Sequence, residues 1–157
     1  MSFYQVNPIQ TEVLYNSAID NAGLKMSDTI LDAYSGVGTI GLIASSRVRK
    51  VLSVEIEKSA VIDAQFNAKI NNIKNVSFFN DDASNFIVNL ANRKEHMDAI
   101  IMDPPRSGSD ERFLKAVLKL MPEKIIYISC NPHTQVTDLK KYLYFFQCSE
   151  LLCYYNA

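Results

Sequence analysis

Short apolar segments alternate with longer segments of mixed polarity along this chain. Each apolar segment has the length and the Ile, Val and Tyr content typical of a buried β-strand. The predicted strands are Thr29–Tyr34, Lys50–Glu55, Val76–Asn80, Met97–Met102, Lys124–Ser129 and Phe146–Tyr155.

The intervening segments place apolar residues at helical spacing. The predicted helices are Ile9–Ala22, Thr39–Ser46, Lys58–Asn71, Ser84–Asn92, Glu111–Leu120 and His133–Tyr142. Regular alternation of strand and helix is typical of an α/β domain, whose mostly parallel sheet is covered by helices on both faces. The chain has no repeat and no Pro/Gly/Ser-rich linker, so we expect a single doubly wound, Rossmann-like domain over residues 1–157.

A glycine-rich loop follows the first predicted strand. Gly36, Gly38 and Gly41 fit the pattern GxGxxG, and Glu55 ends the next strand, where a carboxylate can accept hydrogen bonds from ribose hydroxyls. A nicotinamide dinucleotide and S-adenosylmethionine both fit this pattern, and so do glycines that serve only a tight turn. Asp32 favours S-adenosylmethionine, because a carboxylate there would repel a pyrophosphate but attract a sulfonium.

Polar residues also follow the third and fourth predicted strands. Asp82 is positioned either to accept from an adenine amine or to cap the next helix. The run Asp103-Pro104-Pro105-Arg106 forms a stiff loop, because two prolines fix the backbone and remove two amide donors. An aromatic residue at position 106 would suggest methylation of an exocyclic amine, but Arg106 is suited to a phosphate or a base carbonyl.

Cys130 lies where the fifth predicted strand ends, directly before Asn131 and Pro132. A lone cysteine is commonly a small buried apolar residue. At this strand end, however, a thiolate could add to C6 of uracil and make C5 nucleophilic toward a methyl donor. The helix predicted to start nearby would lower the pKa of the thiol. His133 could assist, or could be an exposed first-turn residue without a role.

Composition narrows the possibilities further. The 16 Lys and Arg residues nearly balance the 17 Asp and Glu residues, so any affinity for RNA must come from local patches or from other domains. Two histidines and three cysteines without a CxxC motif predict no metal site, and we assign Cys148 and Cys153 to packing. No apolar run reaches membrane-spanning length and no signal region opens the chain, so we expect a soluble cytoplasmic protein.

Together these motifs resemble the RNA uracil-5-methyltransferases that modify 23S ribosomal RNA or tRNA. The resemblance covers nearly all 157 residues and is carried by SFYQVNP at 2–8, the glycine loop, VEI at 54–56, DPPRSG at 103–108 and SCNP at 129–132. It implies an S-adenosylmethionine-dependent enzyme whose nucleophile is Cys130 and whose substrate is RNA, with 23S ribosomal RNA expected ahead of tRNA. It also implies that a set of residues contacts the cofactor: Gln5, Tyr34, Thr39, Glu55 and Asp103. Gly36 of the glycine loop and Asp82 after the third strand join this predicted cofactor site on the strength of their positions.

The resemblance has consequences for the rest of the domain as well. Family members carry an N-terminal TRAM domain and a central domain, and they continue to a catalytic Glu and a seventh strand beyond the position of Ala157. We therefore expect this chain to bind cofactor without completing turnover. The sixth strand should pair with the fifth, swap between two molecules in a dimer, or stay loosely attached. An RNA amino-methyltransferase acting on guanine N2 or adenine N6, and a cofactor-binding module without activity, are the alternatives.

Overall fold

The computed structural model describes residues 8–129, 131–145 and 150–155. Its strands are β1 (Thr29–Ala33), β2 (Lys50–Glu55), β3 (Val76–Asn80), β4 (Ala99–Met102), β5 (Lys124–Ser129) and β6 (Glu150–Tyr155). Its α-helices are α1 (Pro8–Asn21), α2 (Thr39–Ala44), α3 (Lys58–Ile70), α4 (Ala83–Asn92), α5 (Glu111–Leu120) and α6 (Pro132–Phe145). A 3-10 turn at Ser45–Arg47 extends α2.

All six strands are parallel and form one sheet in the order β3-β2-β1-β4-β5-β6. The chain moves outward from β1 to β3, then crosses back to β4 on the other side of β1. The carboxyl ends of β1 and β4 therefore flank the point where the strand order reverses. Ligands of open α/β sheets bind in the crevice at such a point.

Apolar residues cover both faces of the sheet. One face is packed by α4 and α5, whose Ile87, Phe113 and Leu114 are fully or almost fully buried. The other face is packed by α1 and α2, where Ile19 and Ile40 contribute to a second buried cluster. The prediction of a parallel, doubly wound, Rossmann-like sheet is confirmed.

Most of the predicted element bounds agree with the structure. Strands β2, β3 and β5 and helix α5 have the predicted limits, and β1 ends one residue early because Tyr34 turns into a left-handed conformation with φ of 60°. β4 begins at Ala99 rather than Met97. Asp98 lies just before the strand. Its side chain accepts a hydrogen bond from the Thr29 amide, and its backbone carbonyl accepts one from the Lys124 amide.

The sixth strand pairs directly with the fifth, which was one of the three predicted arrangements. The two strands are parallel, in a register that places Lys124 beside Glu150 and Ser129 beside Tyr155. The predicted start of this strand at Phe146 lies outside the described residues, and so does Cys148. The assignment of Cys153 to packing is wrong: its side chain is exposed on β6, one of the two outer strands of the sheet.

None of the helices described here combines the length and apolar character needed to cross a bilayer.

Candidate functional site

The glycine loop between β1 and α2 makes a tight turn beside β2. The Ser35 amide donates to the Val54 carbonyl at 3.0 Å, and the Gly38 amide returns to the Ser35 carbonyl at 2.8 Å. Gly36 and Gly38 have φ of 54° and 81°, conformations that a side chain would strain. The loop thereby presents backbone rather than side chains at the carboxyl end of β1.

Glu55 fastens this loop to the end of β2. Its Oε2 accepts from the Gly36 amide at 2.9 Å, and its Oε1 accepts from the Glu57 amide at 2.8 Å. Each carboxylate oxygen has a second acceptor direction, so Glu55 can hold the loop and still accept a further hydrogen bond. This geometry is compatible with the predicted ribose contact.

Asp32 lies beneath the loop and is only 1% exposed. Its Oδ2 receives no hydrogen bond from any described residue, and Gly41 of α2 packs so closely that a Cβ there would collide with that oxygen. Burial raises the pKa of Asp32 to about 8, and the charges of Asp103 and Glu55 add to the rise. The Gly41 amide and the Ser53 hydroxyl act in the opposite direction without cancelling it.

Asp103 stands at the end of β4, next to β1. Tyr15 of α1 donates its hydroxyl to Oδ2 of Asp103 at 3.1 Å, across 88 residues of sequence. Burial raises the pKa of Asp103 to about 6, although the Tyr15 hydrogen bond lowers it. The contribution of Tyr15 was not predicted, because nothing in its local pattern distinguishes it from a core tyrosine.

The end of β3 supplies the third wall of the crevice. Asp82 caps α4, where its Oδ1 accepts from the Asn85 amide at 2.9 Å, which confirms the capping role; contact with adenine stays a prediction. Asn80 holds the carbonyls of Glu55 and Ile56 through its side-chain amide. Ile56 is 64% exposed directly after Glu55.

Tyr34 and Thr39 lie at the two ends of the loop. The Tyr34 ring packs on Phe113 of α5 with ring centroids 5.2 Å apart, and burial raises the pKa of its phenol to about 12. The side chain therefore packs against the helical layer, and a cofactor contact by Tyr34 stays a prediction. Thr39 is exposed as the first residue of α2, directly after the turn at Gly38.

The loop after β4 is held by hydrogen bonds. The Gly108 amide closes a turn on the Pro105 carbonyl at 2.8 Å. Asp138 of α6 accepts at Oδ2 from the Ser109 amide at 3.0 Å and from the Tyr127 hydroxyl at 2.8 Å. A buried carboxylate thus joins this loop to β5 and α6.

The residues on either side of position 130 are also held by hydrogen bonds. The Ser129 hydroxyl accepts from the Asn131 amide at 3.0 Å and donates to the Asn131 carbonyl at 2.9 Å. Asn131 caps α6 through the His133 amide and donates its side-chain amide to the Arg106 carbonyl at 3.1 Å. Asn131 therefore links the loop after β4 to the segment after β5.

Two of the predicted site residues, Gln5 and Cys130, lie outside the described residues. The others gather at the carboxyl ends of β1 to β4, while Arg106 is exposed on the loop after β4.

The residues of the crevice fit S-adenosylmethionine. Asp32 provides a buried oxygen without a hydrogen-bond partner among the described residues, and Glu55 and Asp103 add two carboxylates at neighbouring strand ends. A Cβ built on Gly36 would have nothing within 4 Å, so the loop faces open space. Carboxylates around an open backbone cradle suit a cation that carries an adenosine, because the cation favours their ionised forms, and they are unsuited to a pyrophosphate.

Comparisons with known proteins agree with this geometry. The model of the family described as tRNA (uracil-5-)-methyltransferase matches residues 1–154. The chain is 45% identical over 139 residues to an uncharacterized RNA methyltransferase of Clostridium tetani, covering 88% of this chain and 30% of that protein. It is 44% identical over 140 residues to an uncharacterized RNA methyltransferase of Caldanaerobacter subterraneus, covering 89% and 31% respectively.

Solved structures resemble the fold as well. The tRNA (uracil-54, C5)-methyltransferase of Pyrococcus abyssi, in complex with S-adenosyl-L-homocysteine, superposes with a TM-score of 0.71 at 33% identity, covering 89% of this chain and 33% of that one. The precorrin-6y C5,15-methyltransferase of Geobacter metallireducens has a TM-score of 0.76 at 14% identity, covering 91% and 76%, which shows a shared fold alone. The chain spans about a third of the curated relatives it matches.

Proposed function

The chain belongs to the tRNA (uracil-5-)-methyltransferase family of S-adenosylmethionine-dependent enzymes, and from this premise we propose that it methylates C5 of a uridine in RNA, with Cys130 as the nucleophile. We propose further that it is the catalytic domain of a longer protein that carries TRAM and central domains. These domains would supply RNA affinity, since 16 basic and 17 acidic residues give the chain itself no strong positive field.

One observation carries the proposal. The side-chain amide of Asn131 donates to the Arg106 carbonyl at 3.1 Å, so the segment that contains Cys130 is tied to the loop that contains Asp103. For methyl transfer to occur, the nucleophile and the methyl donor must both lie within bonding reach of the same uracil ring. The hydrogen bond supports such a shared site at the ends of β4 and β5.

The chemistry proposed for Cys130 begins with addition of its thiolate to C6 of uracil, which moves electron density onto C5 and O4. C5 then takes the methyl group that S-adenosylmethionine supplies. A base removes the C5 proton, and the electron pair left behind expels the Cys130 sulfur from C6. We propose a glutamate as this base.

The surroundings of position 130 support nucleophilic reactivity. Asn131 caps α6 and Pro132 is its first residue, so Cys130 directly precedes the amino end of a 14-residue helix. The positive end of a helix dipole stabilises a thiolate and lowers the pKa of the thiol. Arg106 is exposed nearby and is suited to hold a phosphate or a uracil carbonyl of the RNA.

Trapping with 5-fluorouridine RNA tests this mechanism. Fluorine at C5 cannot leave as a cation, so the adduct at C6 persists after methyl transfer. With the whole protein we expect a covalent RNA complex whose mass includes one methyl group and whose attachment site is Cys130. Cys130→Ser should abolish the complex, and Cys153→Ser should leave it intact because Cys153 is exposed on the outer strand β6.

The alternatives predict other outcomes. Methylation of RNA without an adduct would favour an amino-methyltransferase acting on guanine N2 or adenine N6, and cofactor binding without any methylation would favour a non-catalytic module. We propose 23S ribosomal RNA as the substrate. Methyl labelling of ribosomal RNA and of tRNA from a deletion strain distinguishes the two RNA classes. Label in tRNA alone would show that tRNA, and not 23S ribosomal RNA, is the substrate.

A further inference from the structure

Three carboxylates stand at the ends of three adjacent strands. Asp32 is in β1, Glu55 ends β2 and Asp103 follows β4, and β1 lies between the other two strands in the sheet. The charges of Asp103 and Glu55 both act on Asp32. Three ionised carboxylates in one crevice would repel one another, which disfavours the state in which all three are charged.

The neighbours of Asp32 relieve this repulsion only partly. Glu55 and Ser53 face it from β2, Asp103 from beyond β4 and the Gly41 backbone from α2, and no cation is among these strongest influences. Tyr15 of α1 donates to Asp103 rather than to Asp32. Because Oδ2 of Asp32 has no hydrogen-bond partner among the described residues, its negative charge is stabilised poorly.

Asp32 consequently holds a proton at neutral pH, and Asp103 holds one in mildly acidic solution. Burial raises the pKa of Asp32 to about 8 and the pKa of Asp103 to about 6. A positive charge brought into the crevice favours their ionised forms and drives these protons off. By reciprocity, ionisation of the carboxylates strengthens binding of that positive charge by the same free energy.

We propose that Asp32 and Asp103 make the cofactor site selective for the charge on sulfur, so that the sulfonium of S-adenosylmethionine binds more tightly than the thioether of S-adenosylhomocysteine and expels a proton to solvent. This inference rests on S-adenosylmethionine as cofactor in the proposed function. The two molecules share adenosine and amino acid groups and differ by one methyl group and one positive charge. Loss of that charge on methyl transfer weakens binding and helps the product to leave.

Calorimetry on this chain measures the effect directly. Titrations with each compound at pH 5.5 and 7.0, in two buffers with different ionisation enthalpies, give the affinity and the number of protons released. We expect S-adenosylmethionine to release more protons than S-adenosylhomocysteine at pH 7.0. The ratio of the two dissociation constants should widen by about three- to tenfold between pH 5.5 and 7.0.

Variants assign the effect to the crevice. Asp32→Asn removes the deepest titrating group, so it should reduce the difference in proton release between the two compounds and flatten the pH dependence of their affinity ratio. Asp63→Asn is the matched control, because it makes the same chemical change at an exposed carboxylate of α3. If Asp32→Asn does not fold, Tyr15→Phe replaces it: loss of the hydroxyl raises the pKa of Asp103 further and should move its proton release to higher pH.

Failure of the cofactor assignment and failure of the charge selectivity would give different results. Absence of binding by both compounds would overturn the cofactor assignment and the proposed function with it. Binding of both with equal proton release and a constant affinity ratio would overturn the charge selectivity and leave the proposed function standing. A pH-dependent ratio that persists unchanged in Asp32→Asn and Tyr15→Phe would also contradict the assignment to these carboxylates.

Discussion

The phenol of Tyr127 donates a 2.8 Å hydrogen bond to Oδ2 of Asp138, joining the centre of β5 to α6 inside the core. Tyr127 is fully buried and Asp138 is only 4% exposed. The same oxygen accepts from the Ser109 amide, so one carboxylate holds a strand, a helix and the loop after β4 together. Burial and the nearby Asp138 carboxylate both raise the pKa of the Tyr127 phenol, which keeps it protonated and able to donate.

Asp138→Ala should therefore destabilise the domain more than Tyr127→Phe does. The alanine leaves one buried and one partly buried donor without an acceptor, at a cost of roughly 1–3 kcal/mol for each donor, whereas the phenylalanine removes one donor and leaves the Ser109 hydrogen bond in place. Urea denaturation of both variants measures the two free energies of unfolding. Equal losses would show that the Ser109 hydrogen bond contributes nothing.

Asp32 should make the domain less stable as the pH rises. Its pKa is about 8 in the folded state against the ordinary aspartate value of 3.8, so between these values the folded protein holds a proton that the unfolded chain has lost. The stabilising contribution of protonated Asp32 is complete below pH 3.8 and is lost as the pH rises through 8, by at most about 1.4 kcal/mol per pH unit.

Asp32→Asn, which carries no titrating proton, should remove that slope. Urea denaturation at pH 5.5 and 8.0 should show the variant gaining stability relative to the wild type as the pH rises. Asp98 and Asp110 have lowered pKa values and contribute with the opposite sign, but they are common to both proteins and cancel in the difference. A constant difference at the two pH values would mean that Asp32 is ionised throughout.

Close packing of Gly41 against Asp32 gives a third prediction. Gly41→Ala would place a Cβ against Oδ2 of Asp32 and 3.3 Å from Val51, so we expect a loss of about 1–3 kcal/mol of stability. Asp32→Ala in the same chain should recover part of that loss by making room. Gly36→Ala is the control: it meets no atom within 4 Å, and it costs only the strain of a left-handed alanine, about 1–2 kcal/mol.

The sequence predicted the sheet well, because strand length, glycine turns and terminal carboxylates are local signals. Strands β2, β3 and β5 have the predicted limits for this reason. The Tyr15–Asp103 and Tyr127–Asp138 hydrogen bonds were missed, because they join elements whose mutual distance only the folded chain defines. The exposure of Cys153 was misjudged since an apolar strand pattern does not show whether the strand lies at the edge of the sheet.

Glu55 should contribute to cofactor affinity in two ways. Glu55→Ala removes the acceptor of the Gly36 amide, which loosens the loop, and it also removes the expected acceptor for a ribose hydroxyl. Calorimetry with S-adenosylhomocysteine should show binding weaker by roughly 1–3 kcal/mol. Glu57→Ala should bind normally, because only the backbone amide of Glu57 contacts Glu55 in this hydrogen bond. Equal loss in both variants would indicate a general effect of charge.

Asn131 should matter for reactivity separately from its role in stability. Its Oδ1 caps α6 and its Nδ2 holds the Arg106 carbonyl, and Asn131→Asp preserves an acceptor for the cap while replacing the donor by an oxygen that repels the carbonyl. The link to Arg106 is expected to align the segment of Cys130 with the methyl-donor site. The whole protein carrying Asn131→Asp should therefore fold normally and bind S-adenosylhomocysteine normally. Its 5-fluorouridine adduct should form at least about tenfold more slowly. Asn131→Ala should lose about 1 kcal/mol of stability in addition, since the cap is gone. Wild-type adduct rates in Asn131→Asp would show that the cap alone accounts for this residue, and the coupling between the two loops would have to be assigned to the Asp138 contacts instead.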